Sequence, residues 1–128
     1  MTTAAHPRIH TTNAAAWAGR VVSALVALFM TMDAVTHLLK PQPVVAAFAQ
    51  LGLPLELSAP IGLLALACTA LYVIPRTSPF GTVLLTGYLG GAVAIQARAE
   101  SAAFPTIFPI IVGALAWGGL TLRDRVRT

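Results

Sequence analysis

Long apolar runs dominate the pattern of residues along this chain. Three of these runs contain no charged residue, and they cover residues 57–75, 77–97 and 101–122. A fourth run, residues 21–39, is equally apolar except for one acid, Asp33, and one histidine, His37. A helix needs about 20 mainly apolar residues to cross the hydrocarbon core of a bilayer. The pattern therefore predicts an all-α integral membrane protein, a bundle of four transmembrane helices.

Prolines and a glycine predict where the first helices end. Pro41 and Pro43 stop the first span, because proline cannot continue a helix. Residues 44–51 then form an amphipathic stretch that Gly52 can cap, but this stretch is too short to cross a bilayer. We therefore expect a short interfacial helix between the first and second spans. The four expected spans are residues 18–40, 58–75, 79–98 and 104–123.

The composition agrees with a chain that lies mostly in a membrane. Of its 128 residues, 57% are hydrophobic and 9% are charged, whereas a soluble domain has about 25% charged residues. We expect one transmembrane domain at residues 17–125. Residues 1–16 are polar and have no apolar period, which predicts a mobile cytoplasmic tail.

The positions of the basic residues predict the partner and the orientation. Net positive charge in a soluble protein suggests nucleic acid, but here the bases flank the spans, so we expect the lipid bilayer and no nucleic acid as partner. Only Lys40 and Arg98 lie on one side, and the other side collects Arg8, Arg20, Arg76, Arg123, Arg125 and Arg127. Cytoplasmic loops carry the excess of Lys and Arg. This distribution predicts a multi-pass protein of the cell membrane with both termini in the cytoplasm.

A second interpretation of the first helix stays open. A basic tail, the apolar run 21–32 and the triplet Ala47-Phe48-Ala49 together resemble a secretory signal peptide. The tail is long for a signal peptide, and the triplet lies far beyond the apolar run, after two prolines. We therefore favour the interpretation as a permanent first span.

The acid inside the first span marks the candidate site. Asp33, Thr36, His37 and Lys40 have the spacing i, i+3, i+4 and i+7, which places them on one face of a helix. An acid at the centre of a membrane helix costs at least about 2.5–3.5 kcal/mol on insertion scales. We therefore expect Asp33 to face the interior of the bundle, where it finds a partner.

Other helices carry polar residues at the depth expected for Asp33. Glu56 precedes the second span, while Gln96 and Arg98 close the third. The predicted orientation places all of them near the outer leaflet. Tyr88 lies within the third span, where its hydroxyl needs a partner. We therefore expect a polar pocket in the outer half of the bundle.

The chemistry of this pocket has two interpretations. Asp33 is either a neutral carboxyl that donates a hydrogen bond or a carboxylate paired with His37 or Arg98. A carboxyl and an imidazole can move protons on a bound molecule, which makes Asp33 and His37 the candidate catalytic residues. The other interpretation is a structural clasp that fixes the register of the helices. The candidate ligand-binding residues are Tyr88, Gln96, Arg98, Thr36, Lys40 and Glu56.

The remaining features favour structural roles. We interpret Gly87 and Gly91 as a face for close helix packing, and Tyr72 and Trp117 as interfacial belt residues. The lone cysteine, Cys68, is interpreted as a small packing residue. Two of the three histidines lie in the tail, so the chain lacks the ligands of the usual metal sites, and we expect neither a metal nor a cofactor.

Several segments together resemble the DoxX-like family of small four-helix membrane proteins, over residues 18–125. The first helix shows Gly19-Arg20-Val21-Val22-Ser23-Ala24-Leu25, then Asp33, then Leu38-Leu39-Lys40-Pro41. The later segments that carry the resemblance are Pro43-Val44-Val45 with Phe48, Leu51-Gly52, Leu71-Tyr72-Val73-Ile74-Pro75-Arg76-Thr77, Leu85-Thr86-Gly87-Tyr88-Leu89-Gly90-Gly91-Ala92 and Trp117-Gly118-Gly119-Leu120.

The resemblance implies a four-helix membrane bundle and an association with thiosulfate:quinone oxidoreduction or with oxidative-stress complexes. Asp33 matches the acid that such sequences tend to carry in the first helix. The chain departs from its relatives at His37, Ala65 and Gln96, where they often have lysine, glutamate and histidine.

Three functional hypotheses follow. The first is a pocket for a small lipophilic molecule, with a quinone among the candidates, where Asp33 drives proton chemistry such as isomerisation, cyclisation or epoxide opening. The second is a non-catalytic membrane subunit of a quinone-linked or thiol-handling enzyme. The third is a small transporter. The glycine faces also permit a homodimer.

Overall fold

The structure, a computed structural model, describes the backbone of residues 5–124 and the side chains of residues 14–123. Within this part of the chain it contains five α-helices and no strand. The helices are α1 (Ala5–Leu39), α2 (Gln42–Leu51), α3 (Ser58–Val73), α4 (Ser78–Arg98) and α5 (Ala103–Asp124), and a single 3-10 turn at Leu55–Leu57 precedes α3.

Four of these helices are long and apolar enough to cross a membrane. The spans are Ala14–Leu39, Leu55–Val73, Ser78–Arg98 and Ala103–Arg123. This confirms the predicted all-α membrane bundle, and α2 is the predicted short helix between the first two spans. Pro41 immediately precedes α2 and has an extended conformation. Gly52 immediately follows α2 and has a left-handed conformation, with φ of 71°. These are the helix limits that proline and glycine favour.

The start of α1 differs from the expectation. The helix begins at Ala5 and not near residue 18, so residues 5–16 belong to the same helix as the first span. The alanines at 14–16 are strong helix formers, and Pro7 lies in the first turn, where proline is tolerated. The side chains of His6, Arg8 and His10 and the backbone of residues 1–4 lie outside the described part. The mobility and cytoplasmic location of the tail stay predictions.

The four spanning helices form a square in cross-section. α1 packs against α3 and α5, and α4 also packs against α3 and α5, so α1 and α4 lie across a diagonal. Buried residues from all four helices form the core, among them Met30, Ala65, Leu85 and Ala116. We call the end where α1 and α4 finish the Arg98 end, and the end where α3 and α5 finish the Arg123 end.

Large apolar side chains cover the outside of the bundle. Leu25, Leu28, Leu63, Val83 and Ile110 are all exposed. A soluble monomer rarely exposes apolar surface on this scale. The exposed faces are therefore the surfaces that contact the lipid bilayer.

Polar contacts join all four spans at the Arg123 end. The Tyr72 side chain is 0% exposed, and its hydroxyl donates to the carbonyl of Ala116 at 2.9 Å. The guanidinium of Arg123 lies 4.5 Å from the centre of the Tyr72 ring and donates to the Ser78 hydroxyl at 2.8 Å. The Ser23 hydroxyl lies 3.2 Å from the Tyr72 oxygen. The interpretation of Tyr72 as a belt residue is therefore wrong, because its ring lies inside the bundle.

Candidate functional site

A cavity of about 540 Å³ lies in the half of the bundle toward the Arg98 end. Side chains from α1, α3, α4 and α5 form its walls, and Phe48 and Leu51 of α2 contribute to its lining. Its volume falls in the range of about 300–1,000 Å³ that is usual for small-molecule sites. Most of its lining is apolar, and the polar side chains on the wall are Asp33, His37, Tyr88 and Gln96.

Asp33 is the centre of the polar part of this wall. Its carboxyl oxygen Oδ2 accepts a hydrogen bond from the Tyr88 hydroxyl of α4 at 3.3 Å. The same oxygen lies 3.6 Å from Nδ1 of His37, one turn along α1. The Asp33 side chain is 32% exposed and that of His37 is 18% exposed. The acid is therefore held on the inner side of α1 and connected across the diagonal of the bundle.

The position of His37 is fixed from three directions. Its Nδ1 lies 2.8 Å from the backbone carbonyl of Asp33. Its own carbonyl accepts a hydrogen bond from the fully buried hydroxyl of Ser58 at 2.6 Å. This carbonyl belongs to the last turn of α1, where helix carbonyls lack donors, and Pro41 has no N–H to offer. The Phe48 ring meets the imidazole edge-on, with centroids 5.8 Å apart.

The other predicted site residues lie away from the cavity wall. Thr36 is exposed and donates to the carbonyl of Asp33 at 2.7 Å. Lys40 and Glu56 are exposed at the Arg98 end. Arg98 donates to the carbonyl of Leu51, at the end of α2, at 3.2 Å. The predicted polar cluster is thus divided into an inner group on the cavity and an outer group at the bundle surface.

Aromatic side chains form a part of the cavity that the sequence pattern did not indicate as a site. Phe29 of α1 meets Phe108 of α5 edge-on, with centroids 5.1 Å apart. Phe104 lies one turn before Phe108, and the centroids of these two rings are 5.3 Å apart. All three line the cavity. The i, i+4 spacing of Phe104 and Phe108 was the available signal, but in an apolar run it does not separate a cavity wall from a lipid-facing side.

The glycines of α4 have a different role from the expected one. Gly87 and Gly91 both line the cavity, and a Cβ built on either would meet nothing within 4 Å. The interpretation as a close packing face between helices of this chain is therefore wrong. These glycines leave space, and the absent side chains contribute to the volume of the cavity.

The described residues contain no group of three or more His, Cys, Asp or Glu side chains that could hold a metal ion. Cys68 is buried in the core. The chemistry available at the cavity is therefore that of a carboxyl, an imidazole, a phenol and an amide. Such groups bind hydrogen-bonding ligands and transfer protons.

Comparison with curated proteins and with solved structures finds no significant match. A family model does match, over residues 21–119, and its description is the DoxX-like family. The match begins in α1, ends in α5 and includes the whole cavity wall. Since it covers most of the chain, this integral membrane protein belongs to the DoxX-like family.

Proposed function

We propose that this protein binds a small lipophilic molecule in the cavity at the Arg98 end. The observation that carries the proposal is a carboxyl in contact with an imidazole and a phenol inside a mainly apolar wall. Ligand sites combine a mainly apolar lining with a few convergent polar groups in this way. The apolar body of the ligand packs against the aromatic side chains, and its polar group binds at Asp33.

The same groups support proton chemistry on the bound molecule. Asp33 is the proposed proton donor or acceptor and His37 its partner, while Tyr88 and Gln96 orient the ligand. Intramembrane ionisable residues are commonly functional because their insertion is unfavourable. Isomerisation, cyclisation and epoxide opening are the reaction types that need only such proton transfers.

Binding is tested by filling the cavity through a glycine. Gly91→Leu adds an apolar side chain at the cavity wall, where the Cβ itself meets nothing within 4 Å. Gly90→Leu is the matched control, since Gly90 is exposed, equally free of contacts and absent from the cavity lining. The protein and both variants are purified from native membranes in mild detergent, and bound lipophiles are identified by mass spectrometry.

We expect one lipophile to be retained by the unchanged protein and by Gly90→Leu and lost from Gly91→Leu. Equal retention by both variants would refute a ligand site in this cavity. A stoichiometric protein partner, retained in place of any lipophile, would favour the subunit hypothesis instead. A quinone among the retained molecules would connect the protein to the chemistry implied by its family.

Proton chemistry is tested with Asp33→Asn once the retained molecule is known. The amide is similar in size to the carboxyl but cannot exchange a proton in the same way. We expect binding of the molecule to persist and its conversion to stop. Unchanged turnover in Asp33→Asn would leave a binding protein without the proposed catalysis.

We also propose that the protein lies in the cell membrane with both termini in the cytoplasm, so that the cavity lies toward the outer leaflet. Arg20, Arg76 and Arg123 at the Arg123 end, against Lys40 and Arg98 at the other, support this orientation.

Cysteine labelling tests the orientation. Cys68 is the only cysteine of the chain, so Cys68→Ala gives a background without thiols. In that background, Glu100→Cys should react with a membrane-impermeant maleimide on intact cells. Arg76→Cys should react only after the cells are permeabilised. The reverse pattern would refute the orientation.

A further inference from the structure

We infer that the ligand of this cavity is a hydrogen-bond donor, namely a lipophilic alcohol or phenol, and not a molecule with only carbonyl or ether oxygens. This inference rests on the proposed function and specifies its ligand class. Hydrogen bonds within the chain already use the proton of the Tyr88 hydroxyl and the Nδ1 side of the His37 ring.

The imidazole of His37 presents an acceptor. Its Nδ1 lies 2.8 Å from the backbone carbonyl of Asp33, and a carbonyl oxygen can only accept. Nδ1 therefore carries a proton. In the neutral imidazole the other nitrogen, Nε2, keeps its lone pair and binds a donor, and this is the form on which the inference rests.

The phenol of Tyr88 has used its single proton. That proton is donated to Oδ2 of Asp33 at 3.3 Å, so the phenol oxygen offers the cavity only lone pairs. Oδ2 of Asp33 is an acceptor in the same contact. None of the described residues donates to the second carboxyl oxygen, Oδ1, and 32% of the Asp33 side chain is exposed. As a carboxylate, Asp33 therefore offers a further acceptor.

Pro109 removes one backbone donor from α5 beside the cavity. Pro109 lies inside this helix and lines the cavity together with Pro105. Proline has no N–H, so the carbonyl of Pro105 lacks the donor that normally comes from four residues further along. A carbonyl freed in this way at membrane depth is stabilised by any donor that reaches it.

The cavity wall has fewer free hydrogen-bond donors than free acceptors. Among the described residues that line the cavity, Gln96 is the only side chain whose N–H groups have no partner within the chain. A ligand with an O–H supplies a proton where the wall offers lone pairs. A ligand with only acceptor oxygens leaves the acceptors of the wall without a hydrogen bond. Its own oxygen also lies near their lone pairs, and both effects are unfavourable in an apolar site.

Three matched probes test the inference: farnesol, its aldehyde farnesal, and farnesyl methyl ether. All three share one apolar chain, and only the alcohol has a proton to donate. The full-length protein is reconstituted in nanodiscs, and saturable binding of tritiated farnesol is measured above that of empty nanodiscs. The aldehyde and the ether are then used as competitors. Gly91→Leu and Gly90→Leu show which part of the binding depends on the cavity.

We expect farnesol to bind about tenfold more tightly than the aldehyde or the ether, the ratio for one hydrogen bond to a charged or buried acceptor. Asp33→Asn provides a second measurement. It replaces an acceptor-only carboxylate with a group that also donates, so the preference for the alcohol over the aldehyde should fall toward unity. A residue with a merely structural role would weaken all three probes together.

The outcomes separate this inference from the proposed function. Equal competition by the three probes, or preference for the aldehyde, with binding lost in Gly91→Leu, would overturn the donor requirement and leave the ligand site standing. Binding that is unchanged in Gly91→Leu, or no saturable binding of any probe, would overturn the proposed function and this inference with it. If Asp33→Asn keeps the full preference for the alcohol, the Asp33 carboxyl is not one of the acceptors that bind the hydroxyl proton of the ligand.

Discussion

Two adjacent glycines of α5 allow a sharp test of how the helices pack at the Arg123 end. A Cβ added to Gly119 would lie 2.5 Å from the hydroxyl of Ser23 and 2.9 Å from the hydroxyl of Tyr72. A Cβ added to Gly118 would meet nothing within 4 Å. The two positions differ by one residue in depth, so the membrane environment is closely matched. Gly119→Ala should therefore destabilise the bundle, and Gly118→Ala should not.

The magnitude follows from the two contacts. Overpacking a tight site costs about 1–3 kcal/mol, because neighbouring groups must move or leave their preferred rotamers. Alanine in place of glycine inside a helix gains about 0.5–1 kcal/mol from the reduced freedom of the unfolded chain. Gly118→Ala receives this gain alone, whereas Gly119→Ala also bears the clash. The free energies of unfolding of the two variants should differ by about 1–3 kcal/mol.

Unfolding is followed by circular dichroism while the protein, in mild detergent, is titrated with sodium dodecyl sulfate. Ser23→Ala removes the hydroxyl that the new methyl group would meet, so the double variant with Gly119→Ala should recover part of the lost stability. Equal midpoints for the two glycine variants would refute the packing described for α1 and α5. A double variant no more stable than Gly119→Ala would show that Ser23 is not the obstacle.

Three further substitutions have expected outcomes. Ser58→Ala leaves the carbonyl of His37 without its donor and should lower the free energy of unfolding by about 1–3 kcal/mol, measured by the same titration, whereas an unchanged midpoint would mean that the contact contributes nothing. Tyr72→Phe removes the buried hydroxyl and with it the hydrogen bond to the carbonyl of Ala116, so it should lower stability by about 1 kcal/mol in that assay, and a gain would contradict the hydrogen bond. Arg98→Ala removes the contact to the carbonyl of Leu51, so the amides of α2 should exchange with deuterium a fewfold faster by mass spectrometry, with Arg98→Lys as the milder control. Exchange rates equal to those of the unchanged protein would show that Arg98 does not hold α2.

The spans could be predicted from the sequence because length and hydropathy determine which segments cross a bilayer. The short α2 could be predicted from Pro41 and Gly52, which limit a helix for local reasons. The start of α1 could not be predicted, because alanine and threonine are compatible with either a helix or a polar tail. The sequence pattern contains no signal that marks Ala5 as the first residue of a helix.

Helical spacing and depth were enough to predict Asp33, His37, Tyr88 and Gln96 as candidates, and these residues line one cavity. The same reasoning included Arg98, which lies at the right depth but contacts α2 instead. Depth is readable from the sequence, whereas the direction of a side chain around its helix depends on how the helices pack.

The roles of the glycines also depend on how the helices pack. Gly87 and Gly119 both lie in apolar helices, yet one borders a cavity and the other touches Ser23 and Tyr72. A glycine in an apolar helix is compatible with either role. Whether another helix lies against it depends on the tertiary packing.

The diagonal contact between Asp33 of α1 and Tyr88 of α4 also has a consequence for biogenesis. The first helix leaves the ribosome with its acid, and its phenolic partner arrives two spans later. Until then the acid has only His37 of its own helix as a side-chain partner, and an acid at the centre of a membrane helix costs about 2.5–3.5 kcal/mol. Chains truncated before Ser78, which lack Tyr88, should therefore be inserted less stably or degraded sooner by membrane quality control than chains that include the third span.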